Sequence, residues 1–232
     1  MIKPIKFLKN ILREVLSSHE AHLTSVPNIL LKESIEKSAE FAKNNMSEAM
    51  MFFDHRSIWT YTISRLNLNQ SSGHYMEFGV FQGTSINFFA KHIPHTTFYG
   101  FDSFEGLQED WKGWSLVKGA FDLKGKLPKV EPNVKLIKGW FDKTIPSFIQ
   151  SNKIEKINFL HVDCDTYEAT VTIFENLGNE IQSGTLILFD EYFGYRGWEI
   201  GEHKAFKAFI DKHQLTYKYL AFAKCQVLVE IL

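Results

Sequence analysis

The sequence predicts an α/β fold: a seven-stranded, mostly parallel sheet ending in an antiparallel hairpin and preceded by extra helices. Three observations predict it. From Gly73 onward, short apolar runs alternate with helical stretches, the pattern of right-handed strand–helix–strand crossovers. Only Ala223 and Lys224 separate the last two runs, too few residues for a crossover helix, so these runs pair as a hairpin. The length of 232 residues and the 44% hydrophobic content suit one such domain with extra helices better than two domains.

The front of the chain reads as helical. Residues 2–66 contain no convincing strand, and residues 1–66 form an N-terminal helical extension to a catalytic-type domain over 67–232. Ile5, Leu8, Leu12, Val15 and Leu16 recur at helical spacing, with Lys3, Lys6, Lys9 and Arg13 between them. This basic stripe suits packing on the domain or on a second subunit; peripheral contact with an anionic membrane is the alternative. Further helices are expected from about Leu30 to Lys43 and from about Ser57 to Leu66.

In the body, strands are expected at His74–Phe78, Thr97–Phe101, Val134–Lys138, Ile157–Val162, Thr185–Phe189, Thr216–Phe222 and Cys225–Ile231. Helices are expected at Ser85–Lys91, Ile145–Gln150, Tyr167–Ile181 and His203–His213. Five strand–helix units followed by a hairpin is the Rossmann-like plan of class I methyltransferases. A dinucleotide dehydrogenase more often adds another strand–helix unit. Residues 103–133, rich in Gly, Lys and Trp, are too long for a simple connection and read as a lid.

Composition removes other classes. A formal net charge of -1 gives no basic field for nucleic acid. No apolar run reaches the ~20 residues of a membrane span. No signal-peptide pattern opens the sequence, and Cys164 and Cys225 lie in apolar runs, so a cytoplasmic protein with reduced thiols is expected. The 21 Phe imply an aromatic core rather than a ligand cage.

Three strand ends carry polar chemistry. The first, Glu77-Phe78-Gly79-Val80-Phe81-Gln82-Gly83-Thr84-Ser85, ends a strand and opens a helix. Its glycines allow a sharp turn, and the helix start offers free N–H groups to an anion. In a methyltransferase that anion is the methionine carboxylate of the cofactor, and Glu77 would face its ammonium. Phe81 breaks the glycine pattern of dinucleotide sites. At the second strand end, Asp102 and Ser103 follow the turn at the distance where a carboxylate grips ribose hydroxyls. Capping a following helix is the other use of an acid there. The third is an acidic set, Asp163 and Asp165 after one strand and Asp190 and Glu191 after the next. Acids converging on one rim repel one another unless a cation intervenes, and hard oxygen ligands favour Mg²⁺. Helix capping and pairing with Lys or Arg are the structural alternatives.

These segments resemble the sugar O-methyltransferases of the macrocin and novobiocin type. The similarity lies in Phe98–Trp111, with Tyr99-Gly100-Phe101-Asp102-Ser103-Phe104-Glu105-Gly106-Leu107-Gln108-Glu109-Asp110-Trp111 at its heart, in Gly139–Pro146, in His161–Thr170 and in Phe189-Asp190-Glu191-Tyr192, and it spans roughly residues 73–212. It implies S-adenosylmethionine as donor, a divalent metal at the sugar hydroxyl, Asp163, Asp190 and Glu191 as metal ligands, and Asp165 as base. Asp163 also counts among the cofactor contacts, with Gly79, Gly83, Thr84, Ser85 and Asp102. Gly139, Trp140 and Phe141 would border the adenine or belong to the core. The Asp190-Glu191 pair stands where some relatives carry two aspartates.

In this reading the metal lowers the pKa of a sugar hydroxyl and Asp165 takes its proton. His203 is the competing base, with an ordinary surface role equally open. Tyr192, Tyr195, Arg196 and Trp198 are candidates for the wall of the acceptor pocket. The expected partner is a sugar-type small-molecule acceptor, with homo-oligomerisation open. The alternative of another class is a non-catalytic module that binds a nucleotide-sugar or scaffolds glycan assembly.

Overall fold

The computed structural model describes residues 25–68 and 73–232. The expected first helix, with its basic stripe, lies outside the described residues. Helix α1 is Val26–Asn45, with Pro27 in its first turn, where a missing N–H is harmless. A three-residue strand, β1, follows at Met50–Phe52, and then helix α2, His55–Leu68. Asp54 starts α2 by accepting from Ser57 N at 3.0 Å and Ser57 Oγ at 2.6 Å.

The alternating body contains β2 His74–Phe78, α3 Thr84–His92, β3 Phe98–Asp102, β4 Val134–Lys138, α4 Phe141–Asn152, β5 Ile157–Val162, α5 Tyr167–Leu177, β6 Leu186–Phe189, α6 Glu202–His213, β7 Tyr217–Ala223 and β8 Gln226–Ile231. The hairpin turn is Lys224-Cys225, one residue later than its expected place, with Ala223 opposite Gln226.

Among the described residues the sheet has eight strands, in the order β1-β7-β8-β6-β5-β2-β3-β4. All neighbours pair parallel except β6–β8 and β7–β8. The expected α/β sheet with its terminal hairpin is present. The eighth strand corrects the reading of residues 2–66 as strandless. β1 is too short to show a period of its own and exists by pairing along β7, Met50 opposite Ala221. Helix α4 also begins earlier than expected, so Pro146 falls inside it rather than at its start.

The chain runs outward from β2 through β3 to β4, then returns to β5 on the other side of β2. The reversal therefore lies between β2 and β5, and a crevice opens beyond their carboxyl ends. Apolar side chains of alternate strand positions fill both faces. Met76, Phe78, Leu160 and Val162 lie in one core, while Tyr75 and Phe159 lie in the other with Ile58 of α2 and Phe89 of α3. Phe78 and Phe101 stack at 4.5 Å between centroids. Phe78, Phe89, Phe98, Phe101, Phe159, Phe189 and Phe206 thus form core, the place their number implies.

α1 joins the body at the hairpin end. Ser38 Oγ accepts from Gly194 N at 2.9 Å, and Phe41 makes ring contacts with Tyr192, Trp198, His203 and Tyr219. No helix among the described residues is long and apolar enough to cross a membrane.

Candidate active site

The strand ends are aligned by register. Phe78 stands opposite both Phe101 and Val162, and Val162 opposite Phe189. Backbone bonds continue past these rows: Gly79 N donates to Phe101 O at 3.0 Å, Asp163 N to Phe78 O at 2.9 Å and Asp190 N to Val162 O at 2.9 Å. Gly79, Asp102, Asp163 and Asp190 therefore share one rim. There they border a cavity of about 400 Å³.

The glycine turn is as tight as its composition implies. Gly79 has φ +94°, and a Cβ there would sit 1.5 Å from the Asp163 carbonyl oxygen. Only glycine permits β2 and β5 to approach so closely. Gly83, at φ +80°, caps α3. Thr84 and Ser85 of its first turn reach the cavity wall. Glu77 takes a different place from the one expected. It is buried, outside the cavity wall, accepting from Ser85 Oγ at 2.9 Å and paired with His161 Nδ1 at 2.8 Å.

Asp102 stands in the wall, but its carboxylate is already engaged. Oδ2 accepts from Val80 N and Phe81 N, both at 2.8 Å, and Oδ1 from Phe104 N at 2.7 Å. It pins the glycine turn to the start of the lid. A carboxylate has about four acceptor positions, so little is left here for ribose hydroxyls. Ser103 lines the wall beside it and accepts from Glu105 N at 3.1 Å. Trp140 and Phe141 also line the cavity, with Phe141 edge-on to Phe78 at 5.2 Å. Gly139 lies behind them, its N–H on the Asp102 carbonyl.

The acidic set converges. One ligand atom from each of Asp163, Asp165 and Glu191 lies within 4.8 Å of the others, and His161, Asp163 and Asp190 form a second such trio. Burial, reinforced by the charge of Asp190, pushes the Asp163 and Glu191 carboxyls well above the usual range. The same two causes raise Asp165 to about 7. Burial also pushes Asp190 up, but the hydrogen bond and charge of His161, with Glu191 and Gln226, hold it down at about 2. Asp165 has φ +65°, a conformation that Asp and Asn adopt more readily than other side chains.

Residues missed in the sequence complete the cluster. His161 Nε2 is 3.7 Å from Asp190 Oδ1, so a histidine also approaches the acid cluster. Its signal was a polar residue in an apolar strand, two before Asp163 and hence on the same face. Gln226 Nε2 donates to Asp190 Oδ1 from β8. Glu202, fully buried at the start of α6, accepts from Glu191 N at 3.2 Å.

The lid is a largely irregular strap. Trp111 and Phe121 cover the cavity, and Lys112 donates to Glu168 of α5 at 2.8 Å.

His203 lies outside the cavity wall. It is packed edge-on against Phe41, Tyr192 and Trp198, and burial, helped by the charge of Lys207, draws it down to about 4. Tyr192, Tyr195 and Trp198 are likewise buried in the core and not in the wall, and Arg196 is exposed. Strand-end position alone could not separate these from pocket residues: Phe41 of α1 packs on Tyr192, Trp198 and His203, and Trp111 and Trp114 pack on Tyr195.

The family profile described as "Methyltransferase domain" matches residues 76–192, just over half of the chain and the span from the glycine turn to the acidic set. The chain belongs to this methyltransferase family. No curated protein matches it. Among solved structures the methyltransferase is similar to CalS11, the calicheamicin methyltransferase, at TM-score 0.60 and 20% identity over 89% of this chain and 93% of that one. A second, apo structure of CalS11, a TDP-rhamnose 3'-O-methyltransferase, matches at TM-score 0.52 and 21% identity over 73% of this chain and 75% of that one. The O-methyltransferase NovP matches at TM-score 0.55 and 17% identity over 75% of this chain and 78% of that one. These similarities establish the methyltransferase fold.

Proposed function

We propose that this methyltransferase transfers the methyl group of S-adenosylmethionine to a hydroxyl of a sugar, glycan or glycosylated small molecule, with help from a divalent metal, Mg²⁺. The observation that carries the reading is the convergence of Asp163, Asp165, Asp190 and Glu191 on one wall of the cavity whose other wall is the glycine turn. The similarity to NovP, an O-methyltransferase, and CalS11, a TDP-rhamnose 3'-O-methyltransferase, supports an O-methyl transfer, and CalS11 supports a sugar acceptor.

The acids suit a metal. Glu191 Oε2 is buried without a hydrogen-bond partner. His161 and Gln226 both approach Asp190 through Oδ1, leaving Oδ2 to a ligand. Asp163, Asp190 and Glu191 would hold a hard cation, and oxygen donors of this kind select Mg²⁺-like ions. When bound, the cation lowers the pKa of a coordinated hydroxyl and fixes its oxygen. The donor supplies an electrophilic sulfonium methyl. The chain's own work is positioning, worth effective molarities of ~10⁵–10⁸ M when the reacting atoms are aligned. The turn from Gly79 to Ser85, with Trp140 and Phe141, shapes the donor half of the cavity. Asp165 sits within reach of both other acids of its trio and accepts the hydroxyl proton, a contribution of ~10²–10⁴ in rate. Its raised pKa, near neutrality, suits a group that must both take and release a proton. Trp111 and Phe121 exclude water.

Transfer of labelled methyl to a panel of nucleotide-sugars and glycans tests this reading. Chelation with EDTA should abolish transfer and Mg²⁺ should restore it, while Asp165→Asn should slow it by about 10²–10⁴-fold. Full-rate transfer by the chelated protein would make the acid set structural.

A further inference from the structure

Glu202 is neither at a strand end nor in the cavity wall, yet it touches both acid-bearing segments. It is the first residue of α6 and is fully buried. Its Oε2 accepts from the backbone N–H of Glu191 at 3.2 Å, and the backbone N–H of Cys164 is also turned on it. Cys164 lies between Asp163 and Asp165; Glu191 follows Asp190. One side chain from α6 thus lies between the loop after β5 and the loop after β6, bonded to the second and facing the first. Its other oxygen, Oε1, is buried without a partner.

The approach of α6 is itself built in. A Cβ at Gly201 would lie 2.4 Å from the Tyr195 hydroxyl, so glycine lets the helix start dock without displacing that ring. Phe206, one turn along α6, is fully buried and packs on Phe189 at 5.0 Å, anchoring the helix to β6. A carboxylate in the first turn of a helix also lies at the positive end of its dipole.

We propose that Glu202 is a positioning residue that sets the geometry of the Asp163–Asp165 and Asp190–Glu191 loops for a divalent cation. The proposal rests on the metal reading above. Glu202 acts by accepting backbone N–H groups, so the need is for an oxygen at that distance and not for a negative charge. Partners that orient metal ligands in this way are worth about 10–100-fold in metal affinity.

This separates two conservative variants. Glu202→Gln keeps the chain length and an accepting oxygen but cannot ionise. Glu202→Asp keeps the carboxyl group but withdraws the oxygen by one methylene. Mn²⁺ affinity, followed by electron paramagnetic resonance or calorimetry, should stay within about twofold of the parent in Glu202→Gln and fall by about 10–100-fold in Glu202→Asp. Binding of S-adenosylhomocysteine measured without metal should be unchanged in both, which shows that each is folded. If Glu202→Asp binds Mn²⁺ normally, or Glu202→Gln is the weaker of the two, Glu202 is not a positioning acceptor and the proposal falls. If the parent protein itself binds S-adenosylhomocysteine but no Mn²⁺, it is the metal reading that fails.

Discussion

Replacing Asp165 by Asn should stabilise the metal-free protein, and increasingly so as the pH rises. Asp165 is 8% exposed, and burial, then the charges of Asp190 and Asp102, raise its carboxyl from 3.8 to about 7. Below about pH 4 the group is protonated in both the folded and unfolded chain and contributes no pH dependence. Between about pH 4 and 7 the unfolded chain loses the proton and the folded chain keeps it, so unfolding is favoured. Above pH 7 the group is ionised in both states and the slope ends. The span from 3.8 to about 7 is worth ~4 kcal/mol at ~1.4 kcal/mol per pH unit. Asparagine tolerates the φ of +65° as aspartate does, so the substitution leaves the backbone unstrained. The assay is urea unfolding of both proteins in EDTA from pH 4.5 to 8, taking the difference at each pH so that titrations of groups distant from Asp165 cancel; Asp163, Glu191 and Glu202 feel its charge and titrate lower without it. Asp165→Asn should gain on the parent by ~3 kcal/mol between pH 4.5 and 8. Mg²⁺ at pH 8 should stabilise the parent more than the variant. A difference that stays flat with pH in EDTA would refute the placement of Asp165 as a buried acid pressed by Asp190.

Other outcomes follow from the same geometry. Gly79→Ala should lose ~2 kcal/mol or more, from a positive φ and from its Cβ meeting the Asp163 carbonyl; a melting temperature within ~2 °C of the parent would contradict this. Asp102→Ala strands the N–H groups of Val80, Phe81 and Phe104. It should lower stability by ~3 kcal/mol or more as well as weaken S-adenosylhomocysteine binding; loss of binding with unchanged melting would return Asp102 to a pure ribose role. Lys112→Ala removes the contact of the strap with Glu168. It should raise the acceptor KM while moving melting by less than ~1 kcal/mol, as an exposed ion pair implies.

The order of strands and helices was legible because it depends on local patterning. The apolar runs of β5 and β6 and the two-residue gap before β8 each announce themselves without reference to the rest of the chain. The glycine turn was legible for a similar reason: Gly79 and Gly83 satisfy a backbone requirement that few other residues can meet. The acids at the ends of β5 and β6 could be placed on one rim from strand order alone.

What the tertiary structure decided is which polar groups already have partners. Asp102 looked free to hold a ligand until Val80, Phe81 and Phe104 were seen to donate to it. Glu77 looked like a cofactor contact, but parallel pairing sets His161 opposite it across β2 and β5. His203 looked like a base, but Phe41 of α1, over 150 residues earlier in the chain, closes over it. Glu202 had no signal in the sequence, because its role exists only where α6 meets two loops. Local patterning determines the elements, since backbone preference and the period of burial act over a few residues. Hydrogen-bond partnership is settled by contacts distant in the chain, and no window of sequence contains both members of such a pair.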